Sequence, residues 1–261
     1  MKFTVEQSAL TDGVNWVSRS LSTRPIKTEL LGIVIDATNN EVFLSASDLE
    51  TASKAHFAAE VKEPGKVLVP GKLLAEISRS LPNKPISFVL DGSRVAVTSG
   101  SAKFTLPTLS VDEYPNLPEL PDSTGTVASD TFAEAVAQVA VAAGRDDSLP
   151  TLTGVHVEIN EDTVTFAATD RYRLAVREIQ WAPSSPNTTT TALLRARTIA
   201  DAAKSLTGSK DVSLSFAPNT SNDRLAGFAG DGKDNDFTYV GWNISTIPPP
   251  SPTRGNNNSA Y

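Results

Sequence analysis

The pair Gly71-Lys72 is the first feature of this sequence that could support chemistry, because a glycine followed by a lysine closes the phosphate-binding loop of many nucleotide-binding proteins. That loop also needs an earlier glycine at a fixed distance and a Ser or Thr directly after the lysine. Here the earlier glycine, Gly65, lies one residue too far away, and Leu73 follows the lysine. The sequence therefore does not predict a nucleotide-binding loop.

The histidines and paired carboxylates do not form a catalytic set either. His56 and His156 are solitary and lie in strand-like runs, which is typical of ordinary strand histidines rather than of metal ligands. Asp146 and Asp147 are adjacent, but neither a third acidic ligand nor a phosphate-binding loop is positioned to complete a two-metal site. We predict no catalytic residues, no metal site and no cofactor.

Two predicted helices carry the same cation-acid-cation pattern at spacings that place the three charges on one face. The members are Lys72, Glu76 and Arg79 in the first helix, and Arg197, Asp201 and Lys204 in the second. A surface helix with internal salt bridges would explain either one alone. Because the pattern occurs twice in a chain of net charge −7, we favour a surface that faces phosphates through point charges and reads no base sequence.

A second group of residues is suited to binding a short peptide. The partly apolar groove predicted from the sequence consists of Leu152, Thr169, Tyr172, Arg173 and Leu174. In the alternative interpretation, Asp170 accepts local hydrogen bonds at a strand end and the arginines are solvated. An upstream copy of this stretch has Leu49-Glu50-Thr51 where this one has Arg171-Tyr172-Arg173, so a shared core does not explain the basic residues.

The elements that position these residues occur twice. Ala46-Ser47-Asp48-Leu49 and Ala168-Thr169-Asp170-Arg171 follow similar alternating runs, 122 residues apart. The two charged helices also align, as do the segments 94–100 and 224–230. About 100 residues repeat in one order, and a repeat of this length determines architecture before any local pattern does.

The hydrophobic periodicity within each copy predicts an α+β fold of two helices packed on antiparallel sheets, in the order β-α-βββ-α-βββ. In the first copy we predict helices over 9–21 and from Gly71 to Leu81. We predict strands at 2–6, 31–36, 41–46, 53–61, 66–69, 85–90, 94–99 and 102–106. The resulting domains are 1–121, ending in a Pro-rich linker, and 122–233. The segment 234–261 has neither the repeat nor a clear periodicity, and we predict that it is disordered.

Composition limits the functional classes. A chain of 261 residues with 39% apolar residues is long enough for two cores. It has no cysteine, no signal-peptide core near its start and no apolar run that approaches the ~20 residues of a membrane helix. These features are typical of a cytoplasmic protein without a membrane partner, and the charge of −7 requires any DNA contact to come from local patches.

Several spaced motifs together resemble one family. They are Met1-Lys2-Phe3-Thr4-Val5, Arg24-Pro25, Ser47-Asp48-Leu49-Glu50, Leu81-Pro82, Tyr114-Pro115-Asn116-Leu117 and Ala168-Thr169-Asp170 with Arg173-Leu174-Ala175-Val176. In this order they are similar to the bacterial DNA polymerase III beta subunit, the replicative sliding clamp, over about residues 1–233. Gly144-Arg145-Asp146-Asp147 resembles the actinobacterial branch.

The resemblance implies a non-catalytic processivity factor, a homodimeric ring of six similar domains in which helices line a hole around duplex DNA. It implies DNA contacts, independent of base sequence, from Arg19, Arg24, Lys72, Arg79, Arg145, Arg197 and Lys204. It also implies that Leu152, Thr169, Arg171, Tyr172, Arg173 and Leu174 form the second-domain half of the pocket for linear motifs of the polymerase III alpha subunit and the clamp loader. Asp170 would be a structural residue of that motif.

The chain departs from the family pattern after Lys233, where a third domain would be expected. We therefore predict a truncated chain that cannot close a ring, and a tail from Asp234 that arises from a shifted reading frame. Two alternatives stay open. One is a two-domain clamp that forms a trimer, and the other is an enzyme, a nucleotidyltransferase or nuclease, with an unrecognised site.

Overall fold

The computed structural model describes residues 1–22, 25–117, 119–146, 148–216, 225–231 and 236–242, with the backbone alone for 231 and 236–242. In the first copy, helix α1 spans Gln7–Val17 and helix α2 spans Gly71–Ser80. The strands are β1 (Lys2–Val5), β2 (Gly32–Thr38), β3 (Glu41–Ser47), β4 (Thr51–Ala58), β5 (Glu60–Glu63), β6 (Gly65–Pro70), β7 (Ile86–Asp91), β8 (Arg94–Ser99) and β9 (Ala102–Pro107).

The second copy repeats this order with helices α3 (Ser129–Ala140) and α4 (Ala196–Ser205). Its strands are β10 (Ser123–Ala128), β11 (Gly154–Asn160), β12 (Thr163–Thr169), β13 (Leu174–Gln180), β14 (Ala182–Pro183), β15 (Thr189–Arg195), β16 (Asp211–Phe216), β17 (Leu225–Asp231) and β18 (Asp236–Trp242). Short 3-10 helices occur at Ser18–Ser20, Thr28–Leu31, Pro150–Thr153 and Leu206–Gly208.

The predicted α+β class, with two helices per copy on antiparallel sheets, is confirmed, but the number of strands between the helices is larger than predicted. The segment predicted as one strand over 53–61 is divided, because β4 ends at Ala58 and β5 crosses to pair with β1 in the other sheet. In the second copy β14 makes the same crossing to β10. Each copy thus has five strands between its helices, whereas the predicted order has three and the strands predicted for the first copy number four there.

One of the three sheets joins the two copies. The strand order β5-β1-β7-β8-β9 of the first copy matches β14-β10-β16-β17-β18 of the second, and β4-β3-β2-β6 matches β13-β12-β11-β15. Strand β18 also pairs with β4, so nine strands from both copies form a single sheet. Strand β9 is the first copy's equivalent of β18, and strand β13 is the second copy's equivalent of β4. Both lie at the ends of their sheets.

The prediction of a disordered segment from 234 onward is wrong for residues 236–242, which form β18. This strand runs antiparallel to β17 on one side and to β4 on the other. Backbone hydrogen bonds do not depend on side-chain identity, so a segment that lacks the repeat can still take the position that β9 takes in the first copy. The second domain keeps its closing strand, and residues 243–261 lie outside the described residues.

The helices pack with the apolar faces that their periodicity predicts. Leu10, Val14 and Val17 of α1 are buried, and Ile199 and Ala202 of α4 are buried. An exception in α2 is Leu73, which we predicted on the apolar face and which is 37% exposed. Leu73 lies in the first turn of α2, directly before the buried Leu74.

The side chains of Gln7 and Thr11 in α1 donate hydrogen bonds to the Ser78 carbonyl of α2 and fix the first helix pair. The segment predicted as a linker packs on the first domain, where Tyr114 and Leu117 help to line a cavity of about 470 Å³ over the outer face of β3. Among the described residues, no helix is long and apolar enough to cross a membrane.

Candidate nucleic-acid and peptide interfaces

The loop between β12 and β13 is built around Asp170. Its Oδ1 accepts the backbone N–H groups of Tyr172 and Arg173, both at 3.1 Å, and its Oδ2 accepts Arg173 Nε at 2.9 Å. Thr169 Oγ1 donates to the Arg173 carbonyl at 2.7 Å and accepts the Arg171 N–H at 3.2 Å. Arg171 has φ of 80°, a left-handed conformation that this network holds in place.

The loop between β3 and β4 has the same construction. Asp48 Oδ1 accepts the backbone N–H groups of Glu50 at 3.0 Å and Thr51 at 2.8 Å. Ser47 Oγ donates to the Thr51 carbonyl at 2.7 Å and accepts the Leu49 N–H at 3.0 Å, and Leu49 has φ of 76°. The loop geometry therefore belongs to the repeat, and only its exposed side chains distinguish the second copy.

Two opposing effects act on the pKa of Asp170. Desolvation raises it, while the two backbone N–H groups and the Arg173 guanidinium lower it, and the net pKa lies below the usual value. The carboxylate thus stays ionised and holds the loop. The alternative interpretation of Asp170 as a local hydrogen-bond acceptor is correct, and the exposure of its neighbours leaves the peptide interpretation open as well.

The predicted peptide-binding residues differ in exposure, and the most exposed of them lie at the Asp170 loop. Tyr172, which lies in the Asp170 loop, is 92% exposed, and Leu174, which directly follows the loop, is 69% exposed. Leu152 is half-buried in the 3-10 helix beside β12, and its carbonyl accepts the Gly144 N–H at 2.7 Å. Contiguous apolar exposure with a cation beside it is typical of an interaction surface.

The four helices form two packed pairs, α2 with α1 and α3 with α4, and we call the four together the helix row. Helix α2 packs on α1, where Arg79 donates two hydrogen bonds to Asn15 Oδ1 at 3.2 and 3.1 Å. Helix α3 packs on α4, and residues near the end of α1 and in α4 line one cavity at the domain junction. Lys72, Arg79, Arg197 and Lys204 are all exposed on this row, as the repeated pattern predicts.

A cavity of about 650 Å³ lies at the junction between the domains. Its charged lining consists of Arg19, Asp48 and Glu50 from the first domain and Arg145, Arg195, Arg197 and Asp201 from the second. Within this lining, Glu50 pairs with Arg195 at 3.3 Å and Asp201 approaches Arg197 at 4.0 Å. Four cations against three carboxylates leave this part of the row weakly positive.

Arg19 is exposed, and it lies against the ring of Trp16. Its guanidinium lies 5.7 Å from the centroid of the Trp16 ring, and burial lowers its pKa although Asp201 acts in the opposite direction. Arg19 lines the junction cavity together with two other predicted DNA-contacting residues, Arg145 and Arg197. Arg24 lies outside the described residues.

The sequence analysis missed Arg195, which joins the domains through Glu50. It lies at the end of β15, directly before α4, so it falls outside the helical pattern that we searched. The sequence feature that could have identified Arg195 is a cation directly before a helix that carries cations.

Comparison with solved structures identifies the fold. The chain superposes on the DNA polymerase sliding clamp from Bacillus subtilis with a TM-score of 0.84 and 21% identity, covering 97% of this chain and 67% of that one. It also superposes on a Caulobacter crescentus pol III beta structure with a TM-score of 0.83 and 24% identity, covering 95% and 66%. The fold is that of a sliding-clamp protein.

Sequence comparison identifies the family. Residues 1–118 match the N-terminal domain of the DNA polymerase III beta subunit, and residues 126–233 match its central domain. Beta sliding clamps from Streptomyces coelicolor and Micrococcus luteus are each 48% identical over 233 residues, or 89% of this chain. The chain belongs to the bacterial DNA polymerase III beta subunit family, and it spans 62% of the length of the Streptomyces protein and 74% of the Micrococcus protein.

Proposed function

We propose that this chain is a processivity clamp, whose helix row lies against duplex DNA while the Asp170 loop holds a linear motif of the replicative polymerase or of the clamp loader. The protein acts by binding and tethering, and the polymerase chemistry belongs to its partner. Family membership and relatives named beta sliding clamps support this proposal.

The observation that carries the proposal is the row of four helices with cations repeated on its exposed face. Lys72 on α2 and Arg197 on α4 occupy equivalent first turns, and Arg79 and Lys204 occupy equivalent last turns. The chain as a whole has a net charge of −7, so this distribution concentrates positive charge where a polyanion would lie. Point charges of this kind contact phosphates and give no base specificity.

DNA binding tests the helix row directly. The expectation is for a chain that does not enclose the duplex. Because few of its cations would contact phosphates, we expect no appreciable binding of a short duplex at physiological salt and weak, steeply salt-dependent binding below about 50 mM. Fluorescence anisotropy with labelled duplexes of two unrelated sequences measures this. The double variant K72E/K204E should lose most of the low-salt binding for both sequences.

The matched control is K62E/K66E, which reverses two exposed lysines on β5 and β6 and gives the same change in net charge. It should bind DNA nearly as the parent does. Equal losses in both double variants would show that net charge alone governs binding, and tight, sequence-selective binding would refute the clamp proposal.

A further inference from the structure

The first copy contains the equivalents of three predicted peptide-binding residues of the second copy. They are Leu30 for Leu152, Ser47 for Thr169 and Ala52 for Leu174, each 122 positions earlier. All three are buried in the first copy, with exposures of 2%, 3% and 2%. In the second copy the first two are half-buried and Leu174 is 69% exposed. Because the loops of the two copies have the same construction, a segment outside the loop must account for the difference.

The segment that follows β9, residues 109–117, lies over the outer face of the first domain, and we call it the strap. Leu109 donates its N–H to the Leu68 carbonyl of β6 at 2.8 Å, which fixes the strap at the end of the sheet. The Tyr114 N–H donates to the Val111 carbonyl at 3.1 Å and closes a turn. From β6 the strap reaches the outer face of β2, β3 and β4.

Tyr114 brings the strap to the Asp48 turn. Its hydroxyl is buried, and burial raises the pKa of Tyr114 to about 12. The Ser47 backbone lowers this pKa and the Asp48 carboxylate raises it, so the phenol lies beside both groups. Their equivalents in the second copy are Thr169 and Asp170, which build the loop that carries the proposed peptide-binding residues. Tyr114 therefore holds in the first copy the place that a bound peptide would hold in the second.

The strap covers the sheet without filling the space beneath it. A cavity of about 470 Å³ remains between them, and its volume is within the range of pockets that bind ligands. From the sheet it is lined by Val34 and Phe43, and from the strap by Tyr114 and Leu117. Phe43 is 38% exposed, so the side chain of a ligand could contact an aromatic surface there.

We propose that the outer face of β2, β3 and β4, together with the Asp48 turn, is a second peptide site that the strap closes through Tyr114. Its ligand is a short peptide with an aromatic residue and an aliphatic residue three positions later, as Tyr114 and Leu117 are in the strap itself. A peptide binds when it displaces the strap, so the apparent affinity is the intrinsic affinity multiplied by the open fraction. The assignment of a peptide as ligand rests on the proposed function of the Asp170 loop, but the site can be tested without that loop.

The test uses variants of the full chain in which the Asp170 loop no longer contributes. Y172A/L174A removes the two apolar side chains of that loop, and the further change Y114A removes the ring that closes the first-domain site. The probe is a synthetic peptide with the sequence of residues 109–117, and its binding is measured by calorimetry. We expect Y114A/Y172A/L174A to bind one peptide per chain, at least about tenfold more tightly than Y172A/L174A does.

The matched control is Y114F/Y172A/L174A, which keeps the ring and should bind the probe no more tightly than Y172A/L174A. L117A in the same background is a second opening variant, so the test does not depend on the folding of one variant. Backbone amide NMR shifts should locate the bound probe at Val34, Phe43 and Lys54, which line the cavity. In the parent chain, saturating probe should accelerate hydrogen exchange at the Leu109 and Tyr114 amides, because displacement of the strap breaks their hydrogen bonds.

Three results would overturn the proposal. The first is the absence of probe binding by both opening variants. The second is equal binding by the Y114A and Y114F variants, which would show that the ring does not close the site. The third is a set of amide shifts that excludes β2, β3 and β4, which would place the probe elsewhere. A polymerase motif that fails to bind the Asp170 loop, while the probe binds the opened first domain, would contradict only the proposed function.

Discussion

At the scale of single residues, Asp170 determines the shape of the loop that carries the proposed peptide-binding residues. Its carboxylate accepts two backbone N–H groups and the Arg173 side chain, which leaves Tyr172 pointing into solvent. Asp48 builds the same turn in the first copy with different exposed neighbours. The loop is therefore a scaffold, and the side chains on it carry the difference between the copies.

The acid dependence of this loop follows from the pKa of Asp170. Because that pKa is lowered in the folded state, ionisation stabilises the loop above the ordinary value of 3.8, and the effect is lost as pH falls through the lower folded value. We expect the backbone amide NMR signals of Tyr172 and Arg173 to titrate with a midpoint below 3.8. In D170A this titration should disappear, and its persistence would assign it to another group.

Peptide binding tests the exposed side chains of the same loop. We expect a clamp-binding linear motif to contact Tyr172 and Leu174, and Y172A/L174A should abolish binding by removing the two apolar contacts. Isothermal titration calorimetry measures binding by the parent and by the variant. L49A, on the equivalent loop of the first copy, is the control, and equal binding by Y172A/L174A and the parent would show that the peptide lies elsewhere.

At the scale of elements, β18 is the strand on which the second domain and the junction both depend. It contributes seven residue pairs with β17 and six with β4. Without it, two neighbouring strands would expose unpaired backbone groups. Although β18 lies outside the repeat, it both completes the sheet of the second domain and joins that domain to the first.

Truncation measures the contribution of β18. A chain that ends at residue 233 should lose more than about 3 kcal/mol of unfolding free energy, since many ladder hydrogen bonds are removed, each with a net value of about 1 kcal/mol. Its β4 amides should also exchange faster. A chain that ends at 242 keeps β18 and should resemble the full chain in both measurements. Equal stability of the two truncated chains would show that β18 contributes little.

At the scale of the whole molecule, a strand ladder and an ion pair hold the domains together, and they differ in how much free energy they contribute. The β18·β4 ladder is continuous with the sheets on both sides. The Glu50–Arg195 ion pair spans the same junction, but its side chains are 61% and 42% exposed. An ion pair so open to water is worth at most about 1 kcal/mol, so the ladder dominates.

Removal of the ion pair should therefore have a small effect. E50A and R195A should each change the unfolding free energy by less than about 1 kcal/mol, and small-angle scattering should show the parent's dimensions. The double variant should be additive within error if the pair is weak. A large loss in either single variant, or a changed scattering profile, would show that the pair sets the domain arrangement.

The sequence by itself determined the duplication, the fold class and the faces of the helices. These features follow from local periodicity, because a residue such as Val14 or Ile199 must be buried wherever the helix packs. The sequence also determined that Lys72, Arg79, Arg197 and Lys204 would be exposed. Family likeness came from the spaced motifs, and it predicted both candidate surfaces.

Only the tertiary structure decided which segments fill the sheet edges and which charges meet. The position of β18 was missed because strand pairing uses backbone groups, so a segment without the repeat's side chains can occupy the same place. The interaction of Arg19 with Asp201 and the pairing of Arg195 with Glu50 depend on residues brought together across the domain junction, and the latter two are 145 positions apart. No local pattern specifies such contacts, because they form only when the two domains are joined by the pairing of β18 with β4.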